Sequence, residues 1–103
     1  MKQFEKILKA LANKRRLAIV QFLKSNPSRS VGEIAQKIKL SFKATSKHLH
    51  ILSAADILDP EKRSLQIYYS LSAQCPALAK QIISKLKTLQ GTISANNSLK
   101  SLR

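Results

Sequence analysis

At 103 residues and 44% apolar composition, the chain holds one domain with one modest core, which excludes wholesale disorder. Against 5 acidic residues stand 19 Lys and Arg, a formal charge of +14 that would repel itself in a compact fold and points to a polyanionic partner. The longest apolar runs, such as Leu17–Val20, are too short to span a bilayer; the N-terminus shows no signal-peptide core; and a single cysteine excludes an internal disulfide. A cytoplasmic protein without a membrane partner is expected.

Phe4, Ile7, Leu8 and Leu11 recur at helical spacing with Lys2, Glu5, Lys6 and Lys9 outside the stripe, which predicts an amphipathic first helix. Asn13 is placed to cap a second helix, from Lys14 to about Leu23, with Leu17, Val20 and Leu23 inward. Ser25 to Ser28 read as a loop. Ser30 and Glu33 have capping-box spacing at the start of a third helix, Val31 to Lys39. Ser41 then caps a fourth, Phe42 to about Ala55. The short gap between these two is that of a helix-turn-helix.

After Asp56 the period changes from helical to alternating. Ile57 and Leu58 read as a strand, Asp59 to Ser64 as a turn, and Leu65 to Leu71 as a second strand with Leu65, Ile67, Tyr69 and Leu71 on one face. Pro76 opens a last helix whose stripe is Leu78, Ile82, Leu86 and Leu89, with Gly91 as its stop. The expected division is a domain over residues 1–91 and a polar tail over 92–103. The fold class is mainly α (α+β), in the order α-α-α-α-β-β-α, with a hairpin directly after the helix-turn-helix.

Three stretches carry a family resemblance: LKALANKRRLAIVQFL at 8–23, VGEIAQKIKLSFKATSKHLHILSAADIL at 31–58, and IYYSLS at 67–72. Together they resemble the ArsR family of winged helix-turn-helix repressors, over Phe4 to Leu71. The resemblance implies an operator on double-stranded DNA, a homodimer joined through the first and last helices, and often release by a metal or other inducer. Asn13, Lys14 and Arg15 depart from the family's usual Asp-Pro-Thr. Phe42 stands where a polar residue, often Gln, is common, and the hairpin tip lacks the frequent glycine.

On the fourth helix Thr45, Leu49 and Leu52 share the inner face, while Lys43, Lys47 and His50 point away and Ser46 lies on a flank. In a helix-turn-helix that outer face meets the major groove, so DNA contact is assigned to Ser41, Lys43, Ser46, Lys47 and His50. Lys43 and Lys47 contact either guanine or phosphate. Phe42 is expected to pack beneath the turn; the alternative is apolar contact with a thymine methyl. His48 matches a recurrent His of the resembled family and is read as a structural or phosphate-facing histidine, with a metal ligand as the alternative; His48 and His50 point in different directions on a helix and do not chelate one ion together. Lys62 and Arg63 at the hairpin tip are assigned to phosphate or the minor groove, with a merely solvated turn as the alternative. Lys14, Arg15 and Arg16 start the second helix, where cations oppose its dipole; nearby phosphate would offset that. Arg16 is therefore placed with the DNA contacts, with a structural role as the alternative.

The apolar stripes of the first and last helices exceed what one small domain covers. Phe4, Ile7, Leu8, Leu78, Ile82 and Leu86 are the candidates for a two-fold interface. Sensors of the resembled family place cysteines at the third helix, or Asp, His and Glu on the last. Here Ser28–Lys39 has no Cys or His, and the last helix has no Asp, Glu or His, so no metal site and no cofactor are expected. Cys75 at the start of the last helix is a candidate redox switch, with an inert thiol as the alternative.

No Ser-His-Asp, Cys-His or paired-carboxylate set is present, and with only 2 glycines there is no phosphate-binding glycine loop, so no enzyme is expected. The sequence thus points to a homodimeric repressor on an inverted-repeat operator. The alternative is a sequence-tolerant, chromatin-like DNA-packing protein. The sequence specifies neither operator nor inducer.

Overall fold

The computed structural model describes residues 1–86. Leu89, the helix stop at Gly91 and the polar segment 92–103 lie outside the described residues. Four helices, α1 (Lys2–Leu11), α2 (Lys14–Ser25), α3 (Val31–Ile38) and α4 (Phe42–Ala54), precede a hairpin of β2 (Leu58–Arg63) and β3 (Gln66–Leu71). A last helix, α5, is described over residues 77–86.

The helix starts are set by side chains that accept otherwise unpaired backbone donors. Asn13 Oδ1 accepts from the N–H groups of Arg15 and Arg16 at 2.9 and 3.1 Å. Glu33 N–H donates to Ser30 Oγ at 3.2 Å, and Ser30 N–H donates to Glu33 Oε1 at 3.0 Å, a complete capping box. That backbone donor is the main reason the Glu33 carboxyl is held below the usual carboxylate range. Ser41 Oγ accepts from Ala44 N–H at 3.1 Å. Between α3 and α4 the chain reverses at Lys39, in the left-handed region at φ 57°. Leu40 N–H then closes on the Ala35 carbonyl at 3.0 Å.

The sheet corrects the expected order. A short strand, β1 (Arg29–Ser30), lies in the expected loop and pairs with Tyr69 and Tyr68 of β3, so the order is α-α-β-α-α-β-β-α. The three strands are antiparallel in the order β1-β3-β2. The hairpin is also longer than expected, because Asp59–Arg63 belong to β2 and not to a turn. Pro60 is accommodated on this edge strand, opposite Tyr69. The reversal falls on Ser64 and Leu65, with Ser64 at φ 57°, a conformation a glycine would adopt freely. Leu65, expected to begin the second strand, stands outside β3 and is 96% exposed at the tip.

The core lies where α1, α2, α3, α4 and the base of the hairpin meet. Thr45, Leu49 and Leu52 are buried as their spacing requires, together with Ile34, Ile57 and Leu58. On α2 Ile19 is fully buried and Leu17 only half-buried. On α1 the apolar stripe divides. Ile7, Ala10 and Leu11 enter the core, while Phe4 and Leu8 stay outside, 55% and 51% exposed. Ile7, at 0% exposure, is thus removed from the interface candidates; it holds the protomer together. Leu78, Ile82 and Leu86 of α5 are half-buried against the same core.

Two arginines at the start of α2 bind the ends of other helices. Arg16 Nε donates to the Ala10 carbonyl at 2.6 Å and a terminal nitrogen to the Lys9 carbonyl at 3.2 Å, covering the C-terminus of α1. Its other terminal nitrogen lies 3.1 Å from His48 Nδ1 on α4. Arg15 donates to the Ile38 carbonyl at the end of α3 at 3.2 Å. With Arg16 as donor, His48 must accept at Nδ1 as a neutral ring. Burial, then the charges of Arg16 and Arg15, hold the His48 pKa below the ordinary imidazole value.

Two tests of this framework follow from single groups. Ser30→Ala removes the side-chain half of the capping box and is expected to cost about 1 kcal/mol in urea denaturation; an unchanged midpoint would show that the box does not anchor α3. For His48 the folded pKa is lowered, so protonation favours the unfolded chain. Its contribution is complete above the ordinary imidazole range and is lost as pH falls through the folded value. Between about pH 7.5 and about pH 5, the wild-type midpoint should fall more than that of His48→Gln; equal falls would exclude His48 as a source of acid sensitivity.

Candidate nucleic-acid interface

The outward face of α4 carries two rows of side chains. Phe42, Ser46 and His50 follow at intervals of four, and Lys43 and Lys47 form a second row turned about 100° away. The first row borders a cleft of about 780 Å³ between α4, the start of α3 and the hairpin, whose far wall includes Gln66, Ile67 and Tyr68. The second row, with Ser41 and Ala44, edges a shallow depression that Ser46 and His50 also border. The assigned residues Ser41, Lys43, Ser46, Lys47 and His50 are therefore brought together on one surface, with Ser46 and His50 bordering both the cleft and the depression.

Phe42 departs from the sequence expectation. It does not pack beneath the turn; its ring is 63% exposed at the first position of α4. Exposed with it around the cleft are Leu65 and Ile67 of the hairpin. Sequence reasoning also passed over Gln66 and Tyr68, which lie beside the helix because β3 pairs back along β2. Their only sequence signal was alternation with Ile67 and Tyr69.

Lys62 and Arg63 end β2 at the exposed tip of the hairpin. Arg63 is not a free cation. Its guanidinium donates to Glu61 and stacks over the Tyr68 ring, 4.7 Å from the centroid. Arg16 lies at the junction of α1, α2 and α4, with its Nε and both terminal nitrogens engaged by α1 and His48 as described above. Its position corresponds to the structural alternative.

Cys75 is buried, and burial pushes its thiol pKa up against a smaller opposing effect of the Lys80 charge. A redox switch needs an accessible, acidified thiol, so the structure turns against that assignment. Among the described residues no three His, Cys, Asp or Glu side chains gather where a metal ion could be held. Among the same residues no helix is long and apolar enough to cross a membrane.

Comparison with known proteins places this surface in context. A helix-turn-helix domain family matches residues 11–61. The HTH-type transcriptional regulator YgaV of Escherichia coli is 31% identical over 83 residues, 81% of each chain. The transcriptional activator HlyU of Vibrio cholerae is 39% identical over 67 residues, which are 65% of this chain and 61% of HlyU. The transcriptional repressor SdpR of Bacillus subtilis is 32% identical over 64% of this chain and 72% of its own. The solved structure of HlyU from Vibrio cholerae matches with a TM-score of 0.74 at 34% identity, over 85% of this chain and 91% of that one. A winged helix-turn-helix domain from Mycobacterium bovis, described as homodimeric and possibly of the ArsR family, shares the fold at 24% identity and a TM-score of 0.66, over 91% of this chain and 80% of that one. The buried core, the capped α3–turn–α4 unit, the hairpin wing and these relatives agree, and the chain belongs to the ArsR family of winged helix-turn-helix transcriptional regulators.

Proposed function

We propose that the chain is a homodimeric, sequence-specific transcriptional repressor that places α4 of each protomer in successive major grooves of an inverted-repeat operator. The observation that carries this reading is the α4 surface. Lys43, Ser46, Lys47 and His50 stand outward from the N-terminal two-thirds of a helix whose other side is locked into the core. The wing cations Lys62 and Arg63 flank it, where backbone or minor groove would pass. Repression requires only that the operator be occupied, which this surface and a dimer supply. Activation requires a further surface toward polymerase. The relatives divide on this point, since HlyU is named an activator and SdpR a repressor.

Dimerisation is supported by the outer half of the α1 stripe. Phe4 and Leu8 of α1 stay exposed and Leu78, Ile82 and Leu86 of α5 stay half-buried, and the Mycobacterium bovis domain of the same fold is a homodimer. An isologous pairing covers both rows. Leu8→Glu changes a residue outside the core, so the protomer keeps its fold. Sedimentation is expected to show a dimer for the wild type at micromolar concentration and a monomer for Leu8→Glu, with unchanged circular dichroism. A monomeric wild type would exclude the dimer.

Selection from a random duplex library, followed by titrations on the selected and a scrambled duplex at several salt concentrations, tests the DNA reading. With about four phosphates neutralised per subunit, the log–log salt slope is expected near −7. Lys47→Ala should weaken the selected duplex more than the scrambled one, by about 1–3 kcal/mol for each base edge that Lys47 reads. Lys62→Ala should weaken both equally and flatten the slope by about one unit, and Arg63→Ala, whose charge Glu61 already partly offsets, should weaken both equally with a smaller change of slope. Equal weakening of both duplexes by Lys47→Ala would make Lys47 a phosphate anchor. If no duplex is preferred, the protein packs DNA without regard to sequence.

A further inference from the structure

The cleft beside α4 has a composition at odds with the rest of the chain. In a protein of charge +14, none of its lining residues is Lys or Arg, and its one acid is Glu33. A phosphate therefore has no counter-charge there. At the cleft edge stands Phe42, 63% exposed, at the first position of the helix whose N-terminal half enters the groove. An exposed ring at this point gains nothing within the protomer. It desolvates whatever it meets on binding.

On the floor of the major groove the base edges present donors and acceptors, with one apolar group, the C5 methyl of thymine. Against a cytosine amino group or a guanine carbonyl, the Phe42 ring would strip water and return no hydrogen bond. Against thymine it buries a methyl. The ring thus discriminates both by gain and by penalty. Ser46, the next residue of the same row, is short enough to leave the ring its approach and carries a hydroxyl that pairs with either a donor or an acceptor.

We propose that Phe42 is a specificity-determining residue that reads the methyl group of a thymine in each operator half-site. The inference rests on the DNA-binding reading above and adds a base to it. The occupant of the Phe42 edge of the cleft is the thymine, because that edge is continuous with the α4 surface and the cleft behind it is lined by no Lys or Arg.

The test uses the full chain and the duplex selected above. Each thymine of a half-site is replaced in turn by deoxyuridine, which deletes only the methyl. One position per half-site should lose about fourfold in affinity, and replacement in both half-sites about fifteenfold. Phe42→Ala should lose affinity for the thymine duplex and become indifferent to uracil at that position. Phe42→Leu, which keeps an apolar side chain, should retain part of the sensitivity. Circular dichroism of both variants should match the wild type, since the ring lies outside the core. Affinities unchanged by uracil at every position overturn the inference, as does a Phe42→Ala variant that keeps the wild-type uracil sensitivity. If Phe42→Ala weakens selected and scrambled duplexes alike, the ring touches the backbone and reads nothing. A selection that enriches no duplex defeats the sequence-specific reading itself, and this inference with it; an enriched operator blind to uracil defeats this inference alone.

Discussion

The arrangement of the helices depends on the guanidinium of Arg16. The last carbonyls of an α-helix lack intrahelical donors, and a cation near them is favoured by the helix dipole. Arg16 supplies both donor and charge to the end of α1, at Ala10 and Lys9. The same group meets His48 on α4. One planar side chain therefore links the helix that carries the exposed Phe4 and Leu8 to α4. Lysine has the charge but not the planar fork, and would not satisfy three acceptors in three directions. Arg15 repeats the device one residue earlier, on the Ile38 carbonyl of α3. Cations at a helix start work against that helix's own dipole. Here the ends of two neighbouring helices offset the penalty, where the sequence alone suggested phosphate.

This tie gives α4 a fixed platform. His48 is half-buried and turned toward α2, and Thr45, Leu49 and Leu52 lie in the core. The outer rows are thereby left no freedom to rotate inward. At the other end the Ser30–Glu33 box anchors α3, and Ser30 also pairs with Tyr68 in the sheet. A single residue thus caps the first helix of the helix-turn-helix and attaches it to the wing. The wing and the recognition helix are registered to each other through α3 and β1.

Much of this was legible in the sequence because it is written in local chemistry. Asn13, Ser30 with Glu33, and Ser41 were identifiable as caps from type and spacing, and each makes its bond. The inner face of α4 followed from a helical period. What was not legible is tertiary. A strand as short as Arg29–Ser30 has no period to detect and exists only because Tyr68 and Tyr69 lie alongside. Pro60 reads as a turn residue, yet an edge strand leaves room for a residue without an N–H. The stripe Phe4, Ile7, Leu8 and Leu11 was correct as a stripe, but its division between Ile7 inside and Leu8 outside depends on where α2 lies. On the DNA side, the residue types of α4 marked the surface, while the exposure of Phe42 and the restraint on Arg63 needed coordinates.

The distribution of charge separates affinity from discrimination. Phosphate neutralisation attracts every duplex about equally, so a chain of charge +14 starts with a strong sequence-independent affinity that does nothing to choose an operator. Adding cations to the groove-facing helix would deepen that problem. Selectivity has to come from groups whose contact with a wrong base is unfavourable. On α4 the Phe42–Ser46–His50 row borders a cleft whose lining has no Lys or Arg, and Lys43 and Lys47 form the row beside it. The wing follows the same logic. Glu61 partly neutralises Arg63, and Tyr68 fixes its direction. The ion pair and the ring together restrain the Arg63 side chain at the tip of the wing.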